Sequence, residues 1–270
     1  MITREPEFFP PPVGMLGRMG RWALFHCREI GRAMILLFLA LTSLRYVFTR
    51  RSRRETLVDM YVYGIRSLGV ITIVAIFTGM VLALNTGIAL RDFNQEANVG
   101  TAVMVSMLRE MGPFMTGLIL AACVGSAMAA QLGTMTVSEE VAALEIMSID
   151  PVRYLVMPRV AAMAVMTPLL TFYTCMMGVM GGGLVANTLL DVSWGNYIDN
   201  ALRFARAKDL YVGLLKALLF GIIITIVSCH EGFSATKGAV GVGLATRKAV
   251  IVSFLLILFV GLLITGLFYY

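Results

Sequence analysis

Residues 109–159 read REMGPFMTGLILAACVGSAMAAQLGTMTVSEEVAALEIMSIDPVRYLVMPR, and this stretch decides the fold. It opens with the charged pair Arg109-Glu110, continues as an uncharged apolar run from Met111 to Ser138, and then turns acidic. An apolar run of this length can cross a bilayer, which takes about 20 residues as a helix, whereas the acidic part cannot stay in hydrocarbon. The pattern therefore predicts a membrane-spanning helix that delivers a short polar helix to one surface.

The composition predicts an all-α membrane protein. Of the 270 residues, 59% are hydrophobic and 14% are charged, whereas soluble domains carry about 25% charged residues. Backbone polar groups must be satisfied within each segment in lipid, so we predict about five transmembrane helices, at residues 66–90, 101–133, 158–190, 210–230 and 249–269. The apolar runs are too long and unbroken for barrel strands. The absence of an internal repeat argues against an inverted-repeat transporter.

Two segments precede these spans, which make up a permease domain at residues 59–270. The prolines of residues 1–14 predict a disordered tail. Residues 15–58 place four arginines near one face of a helix: Arg18, Arg21, Arg28 and Arg32. This pattern predicts an amphipathic helix at the lipid interface, although an ordinary solvated helix face would look the same. Residues 33–44 are apolar but too short to span comfortably, which leaves open whether they insert.

Positive charge is concentrated at the start of the chain, where residues 1–66 hold half of the 22 Lys and Arg. Because positive loops stay in the cytoplasm, we predict a multi-pass protein with a cytoplasmic amino terminus and a periplasmic carboxy terminus. We predict no nucleic-acid partner, since the basic cluster at residues 50–54 stands beside long apolar runs. The 191–209 loop falls outside in this topology, although it carries three cations: Arg203, Arg206 and Lys208.

The sequence contains none of the motifs HExxH, GxSxG or Walker A, and its two histidines stand alone. Its four cysteines form no CxxC pair. We therefore predict no enzyme activity, no metal site and no cofactor bound by this chain. If the protein uses ATP, another chain must supply the phosphate loop.

The second span combines a small-residue face with charges at its start. Ala121, Gly125, Ala129 and Gly133 recur at every fourth position, which indicates close helix packing, either within one bundle or against another subunit. Arg109 and Glu110 stand at its outer end, just before Pro113, which is expected to break or kink the helix.

Charges at membrane depth cost about 2.5–3.5 kcal/mol each on insertion scales. The Arg109 and Glu110 side chains therefore either face a cavity or snorkel to the outer interface. Lys216 in the fourth span is a similar case, and it lies too far from Asp209 along the helix for a simple pair.

Residues 137–147 predict a short amphipathic helix with an acidic face. Ser138 is placed to cap it, Glu139 and Glu140 lie on the acidic face, Leu144 lies on the apolar face, and Asp150 with Pro151 ends it. The segment is interpreted either as a docking helix for a cytoplasmic partner or as a connecting loop with a solvated face.

Short motifs spread from about Gly64 to Ser253 together resemble one known family. They are REMGP at 109–113, GTM at 133–135, VSEE at 137–140 with Ala143-Leu144, DP at 150–151, PR at 158–159, Lys216, FG at 220–221, Cys229, Gly232, and GAVGVG at 238–243 with Ala245-Thr246. In this order and combination they resemble the MlaE/YrbE permeases, the membrane subunits of ABC-type lipid transporters that work with MCE proteins. The resemblance implies an MlaE-type permease fold.

The resemblance also implies partners and roles. It implies a homodimer in the bacterial inner membrane, a cytoplasmic ATPase that binds ATP and Mg²⁺ and docks on the 137–147 helix, and a periplasmic MCE protein. A small cytoplasmic STAS-type subunit is left open. The implied cargo is phospholipid moved between inner and outer membranes, in support of outer-membrane lipid asymmetry. By the same resemblance, Arg109 and Glu110 lie near the lipid cavity, and Lys216 lies in the transport region.

The chain departs from the family pattern at three places. Ser138-Glu139-Glu140 stands where the family usually has Thr-Glu-Gln, and Cys229-His230 stands for Cys-Tyr. The last span lacks the acidic residue often found near its middle, where this chain has Gly261. If that acid is the usual partner of the fourth-span lysine, Lys216 needs a different partner here.

Two other functions remain possible from the sequence alone. The first is a channel or secondary transporter that acts without an ATPase, for which only three charged groups in the spans are available: Arg109, Glu110 and Lys216. The second is a membrane scaffold without transport, in which the small-residue face only assembles partners.

Overall fold

A computed structural model describes residues 50–270 except residues 94 and 237, together with the isolated positions 24, 31, 35, 36, 38 and 39. The predictions for residues 1–14 and for most of 15–58, including most of 33–44, therefore lie outside the described residues. Within the described part the chain is helical and contains no β-strand. This confirms the predicted all-α class.

Five helical segments are long and apolar enough to cross a membrane, as predicted. We number them spans 1 to 5 in chain order: Arg53–Arg91, Glu96–Val137, Val152–Leu189, Ala207–Phe233 and Gly238–Tyr269. They run beyond the predicted apolar limits because a helix can continue with polar residues once it has left hydrocarbon. Span 2 has 42 residues and so measures about 63 Å, twice the hydrocarbon thickness of about 30 Å. It therefore projects well beyond the bilayer.

The spans are built from α-helices joined by single turns of other geometry. The α-helices are Arg50–Gly64, Leu68–Arg91, Val99–Ser106, Gly112–Leu120, Ser126–Val137, Glu140–Ile146, Met157–Leu189, Trp194–Arg203, Ala207–Phe233 and Gly238–Tyr269. Tight 3-10 turns lie at Ile65–Ser67 and Glu96–Asn98, and wide π turns lie at Met107–Met111, Ala121–Gly125 and Val152–Val156.

Two of these helices lie between spans and mark the two ends of the bundle. Glu140–Ile146 connects spans 2 and 3, and Trp194–Arg203 connects spans 3 and 4. We name them the 140–146 helix and the 194–203 helix, and we name the bundle ends after them. Three clusters of buried apolar side chains are stacked between these ends, centred on Tyr197, Phe220 and Leu132 respectively.

The 194–203 helix was not predicted, because residues 191–209 were interpreted as a loop. Ser193 begins it by accepting a hydrogen bond from the backbone of Asn196, which is the usual role of serine at a helix start. The Tyr197 hydroxyl donates to the carbonyl oxygen of Val179 at 2.9 Å. Burial raises the pKa of the Tyr197 hydroxyl above its usual value, so the group stays a proton donor. The helix is therefore fixed against span 3.

Spans 1 and 3 touch through their backbones at glycines. A Cβ atom added to Gly79 would overlap the carbonyl oxygen of Gly178 and would lie 2.8 Å from its Cα atom. A Cβ atom added to Gly181 would lie 2.9 Å from the Cα atom of Ile76. Small residues allow such close approach, which replaces the hydrophobic effect as a source of helix association in lipid.

Of the break or kink expected at Pro113, the break does not occur: a π turn at Met107–Met111 precedes the proline and span 2 continues through it. Proline has no N–H group, so it cannot donate to the Arg109 carbonyl four residues earlier. Lys216 Nζ donates to that carbonyl at 2.9 Å instead. The Met107 carbonyl accepts the backbone N–H of Gly112 and, in addition, the thiol of Cys175 at 3.4 Å. Span 4 thus compensates for the proline.

The face formed by Ala121, Gly125, Ala129 and Gly133 packs inside the single chain. All four residues are buried, and this part of span 2 packs against spans 4 and 5. A Cβ atom on Gly125 would lie 3.0 Å from the Ser228 hydroxyl. Of the two kinds of packing that the sequence left open for this face, within one bundle or against another subunit, the single chain already provides the first.

The 140–146 helix is shorter than the predicted 137–147 helix. Val137 still belongs to span 2, and the backbone turns sharply at Glu139, whose φ is 61°. The expected cap at Ser138 is wrong, since its hydroxyl donates backwards to the Thr134 carbonyl at 2.9 Å and to the Glu140 carboxylate at 3.0 Å. Ser138 thus ends span 2 rather than starting the next helix.

Candidate functional site

Arg109 of span 2 is held by a bidentate ion pair with Asp209 at the start of span 4. Its Nε lies 2.8 Å from Asp209 Oδ1, and its NH2 group lies 3.3 Å from Oδ2. Tyr269, the last residue of span 5, donates its hydroxyl to the same Oδ1 at 2.6 Å, and its ring centroid lies 4.5 Å from the guanidinium carbon. The pair therefore joins spans 2, 4 and 5 at one level.

Lys216 forms a second polar group next to the first. Its Nζ lies 2.6 Å from Glu110 Oε1 and 2.7 Å from the Thr265 hydroxyl, in addition to the Arg109 carbonyl described above. The Thr265 hydroxyl in turn lies 2.6 Å from Glu110 Oε1. Three acceptors around one ammonium group satisfy all of its donors, which a lysine at membrane depth requires.

We call these two adjacent ion pairs the charge cluster. In each pair one side chain is buried and the other is partly exposed. The side chains of Asp209 and Lys216 are 1% exposed, whereas those of Arg109 and Glu110 are 35% and 42% exposed. Span 4 thus supplies both buried counter-charges, span 5 adds the hydroxyl groups of Thr265 and Tyr269, and span 2 presents one partly exposed cation and one partly exposed anion. Such an arrangement can pair with a ligand that carries both charges.

The sequence pointed to Arg109, Glu110 and Lys216 but missed their partners. Asp209 was placed in a loop, and Thr265 and Tyr269 were not singled out. A signal was present, because Asp209 and Lys216 are seven residues apart and Thr265 and Tyr269 are four apart, so that each pair lies on one helix face. The sequence did not show that these faces of spans 4 and 5 both turn toward Arg109 and Glu110 of span 2.

A further polar group lies near the 140–146 end. Arg159 of span 3 is 5% exposed and donates to the Gln131 side-chain oxygen of span 2 at 3.1 Å. It also interacts electrostatically with Asp59 and Tyr63, whose side chains are hydrogen-bonded to each other. Spans 1, 2 and 3 are therefore tied together near the end that carries the acidic helix.

The remaining predicted residues lie at the 140–146 end. Glu139 and Glu140 are exposed, and Leu144 is half-buried against an apolar cluster of the bundle. Asp150 accepts the backbone N–H of Val152 at 3.0 Å and pairs with Arg153 at 3.3 Å, so it starts span 3. In the part of the chain that the structure describes, no group of three His, Cys, Asp or Glu side chains could hold a metal ion.

Comparison with known proteins assigns the bundle to a family. A family model described as Permease MlaE matches residues 56–267, which is most of the chain. The chain belongs to the MlaE permease family. The resemblance drawn from the motifs is thereby confirmed, and the protein is a multi-pass membrane permease.

Individual relatives agree with this assignment. The chain is 30% identical over 260 residues to the intermembrane phospholipid transport system permease protein MlaE of Haemophilus influenzae, which covers 95% of this chain and 98% of that protein. It is 43% identical over 206 residues to a probable ABC transporter permease of Rickettsia prowazekii, with 76% of this chain and 80% of that protein covered. It is 32% identical over 219 residues to the chloroplastic trigalactosyldiacylglycerol 1 protein of Arabidopsis thaliana, with 80% of this chain and 62% of that protein covered.

In this MlaE-family permease, span 5 gives Lys216 a hydroxyl group and no carboxylate. Gly261 leaves Lys216 without a span 5 carboxylate, and Thr265, one turn later, supplies a hydroxyl oxygen instead. The negative charge comes from Glu110 of span 2. The lysine is thus paired, and the pair is formed between spans 2 and 4.

Proposed function

We propose that this chain is the transmembrane subunit of an ABC-type transporter that moves phospholipids between the inner and outer membranes of a bacterium. The observation that carries the proposal is the charge cluster, in which the paired side chains of Arg109 and Glu110 remain 35% and 42% exposed. A guanidinium group pairs well with a phosphate, and a carboxylate pairs with a headgroup amine. Membership of the MlaE family supports the same conclusion.

In the proposed topology the 140–146 end faces the cytoplasm and the 194–203 end faces the periplasm. A separate ATPase binds ATP and Mg²⁺, since the sequence has no phosphate loop. It docks on the 140–146 helix, where Glu139 and Glu140 offer exposed negative charge. A periplasmic MCE protein receives or delivers the lipid, and a small STAS-type subunit accompanies the ATPase.

Reversing one charge on the docking surface tests the coupling role. In the Glu139→Lys variant we expect about tenfold less co-purified ATPase, together with loss of ATP-dependent lipid transfer, because the new cation repels a surface that is complementary to an anion. The matched control is Asp199→Lys, which places the same change on an exposed residue of the 194–203 helix. If the two variants co-purify equal amounts of the ATPase, Glu139 has no role in docking it. Lipid transfer without any ATPase would favour a stand-alone channel or secondary transporter.

We also propose that two copies associate through the other side of span 2. That side exposes small and polar residues, Cys123, Ala127, Gln131 and Thr134, whereas the exposed residues of span 1 are large and apolar: Ile73, Phe77 and Val81. A polar strip is poorly suited to lipid and well suited to a second protein copy or a lined cavity.

Cross-linking through Cys123 tests this arrangement. In a two-fold symmetric dimer only residues near the axis face their own counterparts, so a dimer that places Cys123 at the axis should be joined through it by a short bismaleimide in native membranes. Cys175 and Cys229 are buried and serve as unreactive internal controls, and Cys27 is replaced by serine in all samples. The Cys123→Ser variant should lose the dimer band. A dimer band that persists in this variant would place the contact elsewhere.

A further inference from the structure

We propose that Arg203, Arg206 and Lys208 form a binding site for the phosphate group of anionic phospholipids in the outer leaflet. We call these three residues the outer cations. The inference rests on the proposed function and topology, which put the 194–203 end outside. It adds a lipid site that is separate from the charge cluster and lies at its entrance.

The outer cations lie where the 194–203 helix passes into span 4. Arg203 ends the helix, Arg206 immediately precedes span 4, and Lys208 lies in its first turn. Lys208 Nζ donates to the Phe268 carbonyl at 2.8 Å, and it lies 5.2 Å from the centroid of the Tyr269 ring. The cations therefore stand at the level where spans 4 and 5 leave the membrane.

Their charge is only partly balanced by the protein. Asp209 interacts electrostatically with Arg206, but its carboxylate is hydrogen-bonded to Arg109 and Tyr269. Within the described residues 50–270, no carboxylate forms an ion pair with Arg203 or Arg206. By contrast, Arg91 at the same end of the bundle is paired with Glu96 at 3.2 Å. An incompletely balanced cluster of this kind attracts an anion.

Exposed apolar side chains alternate with the cations. Leu202, Phe204 and Tyr211 are 61%, 50% and 72% exposed. Cationic side chains interspersed with apolar and aromatic ones are typical of protein surfaces that lie in the headgroup layer. This mixture favours a lipid over an acidic protein as the ligand, since an acidic protein surface would leave the apolar side chains unmatched.

The position of the outer cations is fixed. Tyr197 anchors the 194–203 helix to span 3, and Asn200 ties it to span 2 by donating to the Ala97 carbonyl at 2.8 Å and accepting from Thr101 at 2.9 Å. Positive residues in an outer loop run against the usual charge distribution of membrane proteins. Holding them rigidly at that surface is explained by a ligand there.

The site is continuous with the charge cluster through a single residue. The Tyr269 ring has Lys208 at 5.2 Å and Arg109 at 4.5 Å from its centroid. An anionic lipid that is held by the outer cations is therefore next to Arg109, one of the two accessible charges of the cluster. The outer cations raise the local concentration of anionic lipid at this entrance.

The test measures lipid retention by the full-length chain in nanodiscs, with phosphatidylglycerol as the anionic probe and phosphatidylcholine as the zwitterionic one. Native mass spectrometry counts the lipids that remain bound. In the double variant Arg206→Gln/Lys208→Gln, phosphatidylglycerol affinity should fall about fivefold for each charge removed, while phosphatidylcholine is unaffected. The variant Arg206→Lys/Lys208→Arg keeps both charges and should retain the lipid. Arg91→Gln, on the same surface, should have no effect.

Each remaining outcome counts against the site. Equal phosphatidylglycerol retention by the double variant and the wild type overturns it. Unchanged lipid retention with weaker co-purification of a periplasmic protein assigns the cations to a protein partner instead. ATP-driven lipid transfer by the wild-type complex is measured in parallel. Its absence would count against the proposed function, whereas transfer with unaltered lipid retention in the double variant would count against this site alone.

Discussion

Replacing Gly79 with alanine is expected to prevent stable folding of the bundle, although the change adds a single methyl group. The new Cβ atom would overlap the Gly178 carbonyl oxygen, and both partners are backbone atoms in the middle of long helices. Neither can move by a change of rotamer, so spans 1 and 3 would have to separate along their length. We expect a loss of at least about 3 kcal/mol, the upper end of the range for overpacked cores.

The measurement is thermal unfolding of the purified chain in detergent, followed by loss of the monodisperse peak in size-exclusion chromatography. The matched control is Gly69→Ala in the same span, where an added Cβ atom meets nothing within 4 Å. That control should be neutral or more stable by about 0.5–1 kcal/mol, because alanine restricts the unfolded chain and favours helix. A stable Gly79→Ala variant would mean that spans 1 and 3 are not in backbone contact.

The second large effect is expected at Glu110, and it should exceed the effect of removing its partner. Glu110→Gln leaves the Lys216 ammonium, 1% exposed, without a counter-charge, which costs about 3–5 kcal/mol for a buried charge. Lys216→Met leaves Glu110 unpaired, but that carboxylate is 42% exposed and can be partly solvated. The free-energy cost of breaking an ion pair depends on how well water can solvate the group that is left behind. Replacing the more exposed residue, Glu110, is therefore expected to destabilise the protein more than replacing Lys216.

A double-mutant cycle separates pairing from local damage. The double variant Glu110→Gln/Lys216→Met removes both charges and should be more stable than Glu110→Gln alone, since an uncharged pair leaves no buried ion. Glu96→Gln is the matched control, because its partner Arg91 is 73% exposed and such surface pairs contribute less than about 1 kcal/mol. A double variant that is no more stable than Glu110→Gln would show that the two charges are not coupled. Lipid transfer should be lost in all three variants that touch the cluster.

The positions at which sequence and structure disagree share a cause. Pro113 was expected to break or kink span 2 because a proline removes a local hydrogen bond, yet Lys216, about a hundred residues away in sequence, satisfies the freed Arg109 carbonyl. The small-residue face was compatible with two kinds of packing, and the choice depended on which helices lie beside it. In both cases the local pattern was interpreted correctly, but its partners were not local.

The 194–203 helix illustrates a different limit. Its helix-starting Ser193 and its buried Tyr197 were visible in the sequence, but hydropathy marks only segments that cross hydrocarbon. A short helix with one polar side is not distinguished from a loop by that signal. The three cations in this region were noticed as exceptions to the charge rule, and in the structure each of the three side chains is exposed.

By itself the sequence determined the membrane class, the five spans and the family. These properties depend on the length, apolarity and order of contiguous segments, which the bilayer selects one segment at a time. Only the tertiary structure decided that Arg109 pairs with Asp209 and Glu110 with Lys216, and that one side chain of each pair is buried while the other is partly exposed. Such pairs join residues about a hundred positions apart, and the rotation and register of packed helices, which no single segment encodes, determine which side chains meet.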